Sequence, residues 1–530
     1  MSKHDEPKRE HWGSAFGFIM AAAGSAIGLG NIWKFPYITG ENGGGAFVML
    51  YIICICIVGI PVMLCEMSLG RHTQLNPIGA FRKISPKNSM LAHLIGLCML
   101  LTGIGLLCFR EYGLGILMLI LGGAVIRYSW SVVGFAGVLT GFIILSYYSV
   151  VGGWVAGYFF KAVMGNLNFN DTAAAAAEFG RCTNDVYWSI GFHVFFMISC
   201  AVVCWGGVKN GIERWSKILM PLLFLILYVV ILRSMTLPGA MKGVSFLLTP
   251  DFSKVTAQGA LVALGHAFFT MSLGMGAMLT YGSYVSKKEN LFIATMAIVI
   301  LDVLAAIMGG LAIFPAVFAF NQAPDCGPGL IFHVLPVVLN QIPLGPLWAA
   351  LFFILVFIAA WTSGISLLEV TVAALIDELK MSRRKAVIIC AGVITLLGCL
   401  SAVSLNNWDR LPALHDLLVT MFGSTKSSFF NFVENITSNW MLPLGGLMIS
   451  LFVGWIWGTH KAVDEIRHGA NNFADVSLLT LLSGLREDPN HNNPQFHVFT
   501  LATLWGIFIR FISPIAITIC FLNLIGWMKL

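Results

Sequence analysis

GSAIGLGNIWKFP, residues 24–36, lies in the middle of an apolar stretch of a length suited to crossing a bilayer, and it is poor material for a lipid-facing helix. Each of Gly24, Gly28 and Gly30 costs about 1 kcal/mol of helix relative to alanine. Asn31 and Lys34 add polar groups where lipid offers no water to satisfy them. A second stretch of this kind, Ser272-Leu273-Gly274-Met275-Gly276, interrupts another apolar span in the second half of the chain. Corresponding glycine-interrupted spans in two halves of a membrane protein point to a buried site at the bilayer midplane, because opened helix backbone is tolerated only where it is enclosed.

The rest of the chain supports that setting. Its 530 residues are 58% hydrophobic and 11% charged, and the mean hydropathy is +0.84. Apolar runs near the 20 or so residues of a membrane helix recur along the whole length, and no alternating pattern suggests a barrel. The net charge of +6 follows topology. With the N-terminus cytoplasmic, Lys8, Arg9, the basic residues of 71–87 and 209–217, Lys287, Lys288, 383–385, Lys461 and Arg467 all fall on the inner side, as the positive-inside rule expects. No nucleic-acid partner is expected. Most of the twelve cysteines sit inside apolar spans and no CxxC occurs, so they read as small hydrophobes. Cys182 and Cys326 fall in outer loops, and their pairing stays open. The polar residues 1–10 lead into a span without a small-residue cleavage site, so no cleavable leader is expected. No nucleophile, base and acid set or HExxH occurs, and His93, His193 and His333 are scattered, which argues against an enzyme.

The expected spans run near 12–38, 44–69, 131–163, 188–206, 215–234, 256–282, 290–320, 346–377, 386–404, 431–458 and 498–526. A polar link covers 71–87, an outer loop carries 173–177, short helices fill 328–341, and 459–496 is a polar segment with its clearest loop at 488–494. Two further apolar segments, 90–109 and 112–127, flank Arg110-Glu111 and predict an inserted helical hairpin over 88–130, for about 13 spans. Gly153 and Gly157 read as residues for close helix packing.

The residues now carry a resemblance. Arg9-Glu10-His11-Trp12, the stretch from Gly24 to Asn31, Phe35-Pro36, and Glu41-Asn42-Gly43-Gly44-Gly45-Ala46-Phe47 resemble the neurotransmitter:sodium symporter family, in its bacterial branch. The likeness continues through Glu66 to Arg71, Tyr147-Tyr148, Phe268 to Gly274, Tyr281, Tyr284, Thr362-Ser363 and Asp377-Glu378-Leu379, covering nearly the whole chain in order. It implies an all-α polytopic membrane protein with the leucine-transporter-type fold. Two inverted five-helix repeats, 10–235 and 255–458, would carry broken helices 1 and 6 within a single transporter domain, followed by a C-terminal helix over 497–530. It also implies a multi-pass protein of the bacterial plasma membrane that imports a small amino acid with one or two sodium ions by alternating access. The oligomeric state is not implied.

Site residues follow from the same resemblance. The first sodium would meet Ala26, Asn31, Thr270 and an acid on helix 7, Asp302. The second would meet Gly24, Ile27, Ala359, Thr362 and Ser363. Sodium is a hard cation that prefers oxygen ligands, which opened backbone supplies without fixed charge. The substrate carboxylate would face the amides of Leu29 and Gly30 at a helix N-terminus, with Tyr148 donating. The ammonium would face carbonyls of Ala26, Phe269, Thr270 and Ser272. Ile144, Phe269, Ser272, Met275, Ser363 and Leu367 would line the side-chain pocket. That lining is mainly apolar, with no buried charge, and favours a hydrophobic or aromatic L-amino acid. Taken alone, Thr362 and Ser363 would read as bonding their own helix backbone, and Tyr148 as an interface anchor or a ligand.

Departures from the family pattern are informative. Lys34 stands where many relatives have an arginine outer gate, with Glu434 as its acid, and lysine lacks the bidentate fork. His266 occupies a glutamine position and is expected in an outer vestibule responsive to pH. Asp302 would replace any need for chloride. Arg9 and Asp377, supported by Trp12, Tyr281 and Tyr284, match the inner gate. Gly211 and Pro221 mark a weak point in the fifth span. The competing reading is a non-transporting amino-acid receptor on the same fold, which could dispense with the sodium ligands and inner gate.

Overall fold

A computed structural model describes residues 9–86, 90–108, 119, 122–320, 322, 324, 327–405, 428–470, 473 and 500–528. Among these residues, nine helices are long and apolar enough to cross a membrane: α2 (Gly45–Thr73), α3 (Ser131–Val163), α4 (Val186–Trp205), α5 (Val208–Met235), α7 (Leu291–Ala319), α8 (Gly345–Leu379), α9 (Arg383–Ser404), α10 (Phe429–Arg467) and α11 (Leu501–Leu524). A tenth span is broken. Its halves, α1a (Ala15–Ala26) and α1b (Gly30–Glu41), meet at 48°. The sixth span is also in two pieces, α6a (Ala257–Thr270) and α6b (Ala277–Gly282).

Both breaks have a local cause. Ser14 caps α1a by accepting the Gly17 N–H, and the helix runs until Ile27 adopts extended angles, φ −77° and ψ 96°. In the sixth span Gly274 and Gly276 take φ of 78° and 75°, the left-handed region that glycine enters without penalty. Ser272 is there too, at φ 53°, so this turn holds strain that the surroundings must support.

The unbroken helices form the scaffold. α8 lies along α3, and α1a packs on α5, α7 and α8, whereas α6a packs on α2, α10 and α11. Close approach of α3 and α4 needs small residues: a Cβ on Gly157 would stand 2.2 Å from Trp188 Cζ2, and one on Gly153 2.7 Å from the His193 nitrogen. The packing reading of both glycines holds.

Several connections differ from expectation. Over 71–86 the expected polar link is partly helical and partly buried. Arg71 is fully buried at the end of α2, with Nε 2.9 Å from Glu465 Oε1 and Nη1 donating to the carbonyls of Glu289 and His468. Pro77–Ile84 then forms a helix capped by Asn76. Its partner Glu465 comes from the expected polar segment after the tenth span. There, Gly458 (φ 91°) turns the chain into a helix, Thr459–Arg467. A buried arginine needs a carboxylate and carbonyls around it, and both segments fold to supply them. Residues 173–177, expected in a loop, lie in a helix, Thr172–Asn184, capped by Asp171, as an alanine run favours.

The inserted segment contains the helix Met90–Cys108 and a second helical stretch over 122–128. The two arms touch at small residues: a Cβ on Gly96 would meet the Gly122 carbonyl at 2.8 Å. The turn at Arg110-Glu111, Cys326 and the loop 488–494 lie outside the described residues.

Candidate functional site

The two breaks open onto one cleft of about 330 Å³ of space between atoms. It collects every residue expected to line a substrate pocket. Ala26, Leu29 and Gly30 come from the α1 break, Ile144 and Tyr148 from α3, Phe269, Thr270, Ser272 and Met275 from the sixth span, and Ser363 and Leu367 from α8. Ser25 and Gly28 complete the lining, which contains no acidic or basic side chain. The breaks are joined directly, since the Ser272 hydroxyl donates to the Ser25 carbonyl at 2.8 Å. The Leu29 N–H donates to the Tyr148 hydroxyl at 3.3 Å, which holds the tyrosine against the start of α1b. Gly28 is required sterically: a Cβ there would lie 2.5 Å from Ser363 Oγ and 3.0 Å from the Tyr148 hydroxyl.

On one side of this cleft Asn31, Thr270 and Asp302 converge. Oδ1 of Asp302 accepts from Asn31 Nδ2 at 2.8 Å and from the Thr270 hydroxyl at 3.0 Å. Its Oδ2 accepts from the Tyr51 hydroxyl at 2.9 Å. Asn31 Oδ1 accepts the Gly28 N–H at 3.1 Å, so the same amide ties the break to α7. Asn31 and Asp302 are fully buried and Thr270 nearly so. A carboxylate held by one side-chain amide and two hydroxyl groups is an oxygen-rich set that suits a hard cation.

On the other side, four of the five residues expected around a second cation meet. Ser363 Oγ lies 3.3 Å from the Gly24 carbonyl, 3.1 Å from that of Ser25 and 3.3 Å from that of Ala359. The Thr362 hydroxyl lies 3.1 Å from the Ala359 carbonyl. Ile27, buried in the α1 break, lies two residues beyond Ser25 in sequence.

The two residue pairs expected as gates are arranged differently. At the N-terminal end, Arg9 is ion-paired to Asp377 and also donates to Ser283. Its guanidinium carbon lies 4.6 Å from the centroid of the Tyr284 ring. Trp12 Nε1 donates to the Tyr281 carbonyl at 3.0 Å. At the opposite end, no ion pair joins Lys34 to Glu434 among the described residues. Lys34 Nζ instead lies 4.8 Å from the centroid of the Phe269 ring, at the rim of the cleft, and Glu434 is exposed. A lysine point charge finds the ring face within reach and has no fork to hold a distant carboxylate. His266 also departs from expectation. It is 2% exposed, stacked on Phe35 with ring centroids 5.9 Å apart and 5.3 Å from Tyr51, because α1b and α2 close over it. It faces no vestibule.

Besides Glu465, sequence reasoning assigned no role to three other buried acids. Glu66 accepts the Gly274 N–H at 2.7 Å and that of Leu279 at 3.3 Å, satisfying backbone freed by the break. Glu369 accepts the Tyr284 hydroxyl at 2.7 Å and both Arg383 Nη groups at 2.8 Å, beneath the Arg9 gate. Glu213 accepts the Gly13 N–H at 2.6 Å, anchoring the segment before α1a. An acid within or beside an apolar span was the available signal, since such residues are costly unless partnered.

Three comparisons place this geometry among known proteins. The chain matches the Sodium:neurotransmitter symporter family over residues 9–103 and 185–472. It is 36% identical to the sodium-dependent transporter YhdH of Bacillus subtilis, over 98% of this chain and 99% of that one. It is 25% identical to the sodium- and chloride-dependent GABA transporter 2 of Mus musculus, over 87% of this chain and 75% of that one. A crystal structure of MhsT in complex with L-phenylalanine is similar in fold, with a TM-score of 0.75 and 38% identity over 97% of this chain and all of that one.

Proposed function

This chain belongs to the Sodium:neurotransmitter symporter family, and from that premise we propose that it imports a hydrophobic or aromatic L-amino acid together with one or two sodium ions. It is a multi-pass membrane transporter of the all-α leucine-transporter type and not an enzyme. We read it as resident in a bacterial plasma membrane with Arg9 on the cytoplasmic side, and its halves 10–235 and 255–458 as inverted repeats.

The observation that carries the substrate class is the cleft between the two breaks. The N–H groups of Leu29 and Gly30 open α1b and offer partial positive charge to a carboxylate. The backbone carbonyls that flank the two breaks at Ala26, Phe269, Thr270 and Ser272 suit an ammonium, the Phe269 carbonyl also accepting the Ser272 N–H at 3.3 Å. The wall of Ile144, Phe269, Met275 and Leu367 has no charge to pair with a charged side chain, and flexible Met275 accommodates a large apolar one. MhsT, similar over its whole length, is in complex with L-phenylalanine.

Sodium at Asn31, Thr270 and Asp302 would bridge α1, α6 and α7. Sodium at Gly24, Ile27, Ala359, Thr362 and Ser363 would join α1 to α8. Both ions then favour the arrangement in which the Arg9 gate is shut. Each net charge moved inward gains about 2.3 kcal/mol per 100 mV. The Asp302 carboxylate beside the first ion makes chloride unnecessary in this reading.

Counterflow of labelled leucine and phenylalanine into proteoliposomes tests the reading. Flux is expected with sodium present and absent when potassium replaces it. Sodium-dependent binding without flux would overturn it in favour of a receptor.

A further inference from the structure

A second, larger groove lies away from the breaks, between the helix Thr459–Arg467 and the first three turns of α11. It holds about 980 Å³, counting the part open to the surroundings. Thr459, His460, Asp464 and Arg467 face it from one side and Thr503 and Arg510 from the other. It belongs to the same end of the molecule as the Arg9 gate, because Glu465 on the same short helix grips Arg71.

Arg510 is the residue that needs explaining. It lies about 14 Å along α11 from Leu501, at 1.5 Å per residue, inside an apolar span. A charge at that depth is costly unless partnered. Yet among the described residues no carboxylate pairs with it, and its Nε is buried without a hydrogen-bond partner. Its guanidinium carbon lies instead 4.3 Å from the Trp455 centroid and 5.5 Å from that of Phe511, two rings set at 88° to one another. Such stacking leaves the edge of the guanidinium free for a planar or tetrahedral anion. The one acid in the lining, Asp464, is within 4.0 Å of Arg467. Thr459 and Thr503 add hydroxyl groups to the same wall. The groove is flanked by exposed apolar side chains, Ile507 at 40%, Phe511 at 47% and Trp455 at 47%, as expected of a surface covered by acyl chains.

We propose that this groove binds the phosphate of an anionic phospholipid, with Arg510 as the charged ligand, Thr503 as a hydroxyl donor, and Trp455 and Phe511 against the glycerol and first chain segments. Basic pockets between membrane helices take headgroups in this way, with each arginine contributing roughly 1 kcal/mol near the surface. A bound headgroup would bridge α11 to the helix that Glu465 ties to α2. The inference stands independently of substrate and sodium.

Native mass spectrometry of the full chain, with added phosphatidylglycerol or phosphatidylcholine, tests it. Phosphatidylglycerol is expected to bind more tightly, Arg510→Gln to weaken it about fivefold, and Thr503→Val to weaken it less. Arg233→Gln, at the opposite end, leaves binding unchanged. Inorganic phosphate at millimolar concentration should not displace the lipid; displacement would assign the site to a free anion and overturn the proposal. Equal retention of phosphatidylglycerol by wild type and Arg510→Gln would also overturn it. If Arg510→Gln does not fold, Arg510→Lys keeps the charge but loses the stacked fork, and Thr503→Val supplies the second reading; unchanged retention in both is equally fatal.

Discussion

The amide nitrogen of Asn31 is bonded twice to Asp302, 2.8 Å from its Oδ1 and 3.0 Å from its backbone carbonyl. Through this pair the opened first helix is held to α7, and the Thr270 and Tyr51 hydroxyls hold α6a and α2 to the same carboxylate. Removing the charge while keeping the shape tests its role. Asp302→Asn is expected to raise the sodium concentration for half-maximal counterflow about tenfold, a 1.4 kcal/mol effect, and to make flux respond to chloride. Wild type should run equally in chloride and gluconate; a chloride requirement in wild type would refute the assignment.

Gly28→Ala should damage binding more than folding. The new methyl would stand 2.5 Å from the Oγ of Ser363, which lines the cleft and belongs to the set proposed for the second sodium. Overpacking of this kind costs about 1–3 kcal/mol, so substrate affinity should fall by about tenfold or more. Scintillation-proximity binding beside a thermal melt separates the two effects, and an unchanged affinity would show that the cleft is not the site.

At the rim of the cleft, Lys34 covers Phe269 and, among the described residues, makes no ion pair with Glu434. Lys34→Met is expected to speed substrate release about twofold to fivefold, the worth of an exposed cation–π contact, with Glu434→Gln having little effect. The reverse ranking in dissociation rates would favour a Lys34-Glu434 gate.

Arg9 and Asp377, the pair proposed to close the other end, are ion-paired with both side chains largely buried. Arg9→Ala should leave sodium-dependent binding detectable while lowering concentrative uptake about tenfold, since the carboxylate of Asp377 loses its main partner and the closed state loses its tie. Arg9→Lys should recover part of the uptake. Full accumulation by Arg9→Ala would exclude a gating role.

A cluster on the helix Thr172–Asn184 predicts a pH effect. Hydrogen bonds from Arg181, then Lys161, hold the Glu178 carboxyl down at about 2. A folded value below the usual 4.5 means that this tie stabilises above pH 4.5 and is lost as pH falls towards 2. Melting temperature should therefore drop across that window in wild type and drop less in Glu178→Gln. Because the cluster is partly solvated, the difference should be small.

Much of this arrangement was legible before any coordinates. Gly24, Gly28, Gly30, Gly274 and Gly276 are locally expensive in a membrane helix, and that expense shows in a single chain without knowledge of neighbours. Intramembrane Asp302 announced itself in the same way, and the order of motifs placed Arg9 opposite Asp377. The roles of Glu66, Glu369 and Glu465 were not legible, although each is an acid in an unexpected place. Their partners are Gly274, Arg383 and Arg71, and two of these pairs are hundreds of residues apart in sequence.

By itself, the sequence determined that this chain is a bundle of membrane helices opened at two points, because hydropathy and glycine cost are properties of short segments. Only the tertiary structure decided that Lys34 covers Phe269 and not Glu434, that His266 is enclosed by Phe35 and Tyr51, and that Arg71 is buried against Glu465. Those outcomes depend on which helix faces meet, and the energy of a buried charge is set by the groups that packing brings within about 4 Å of it.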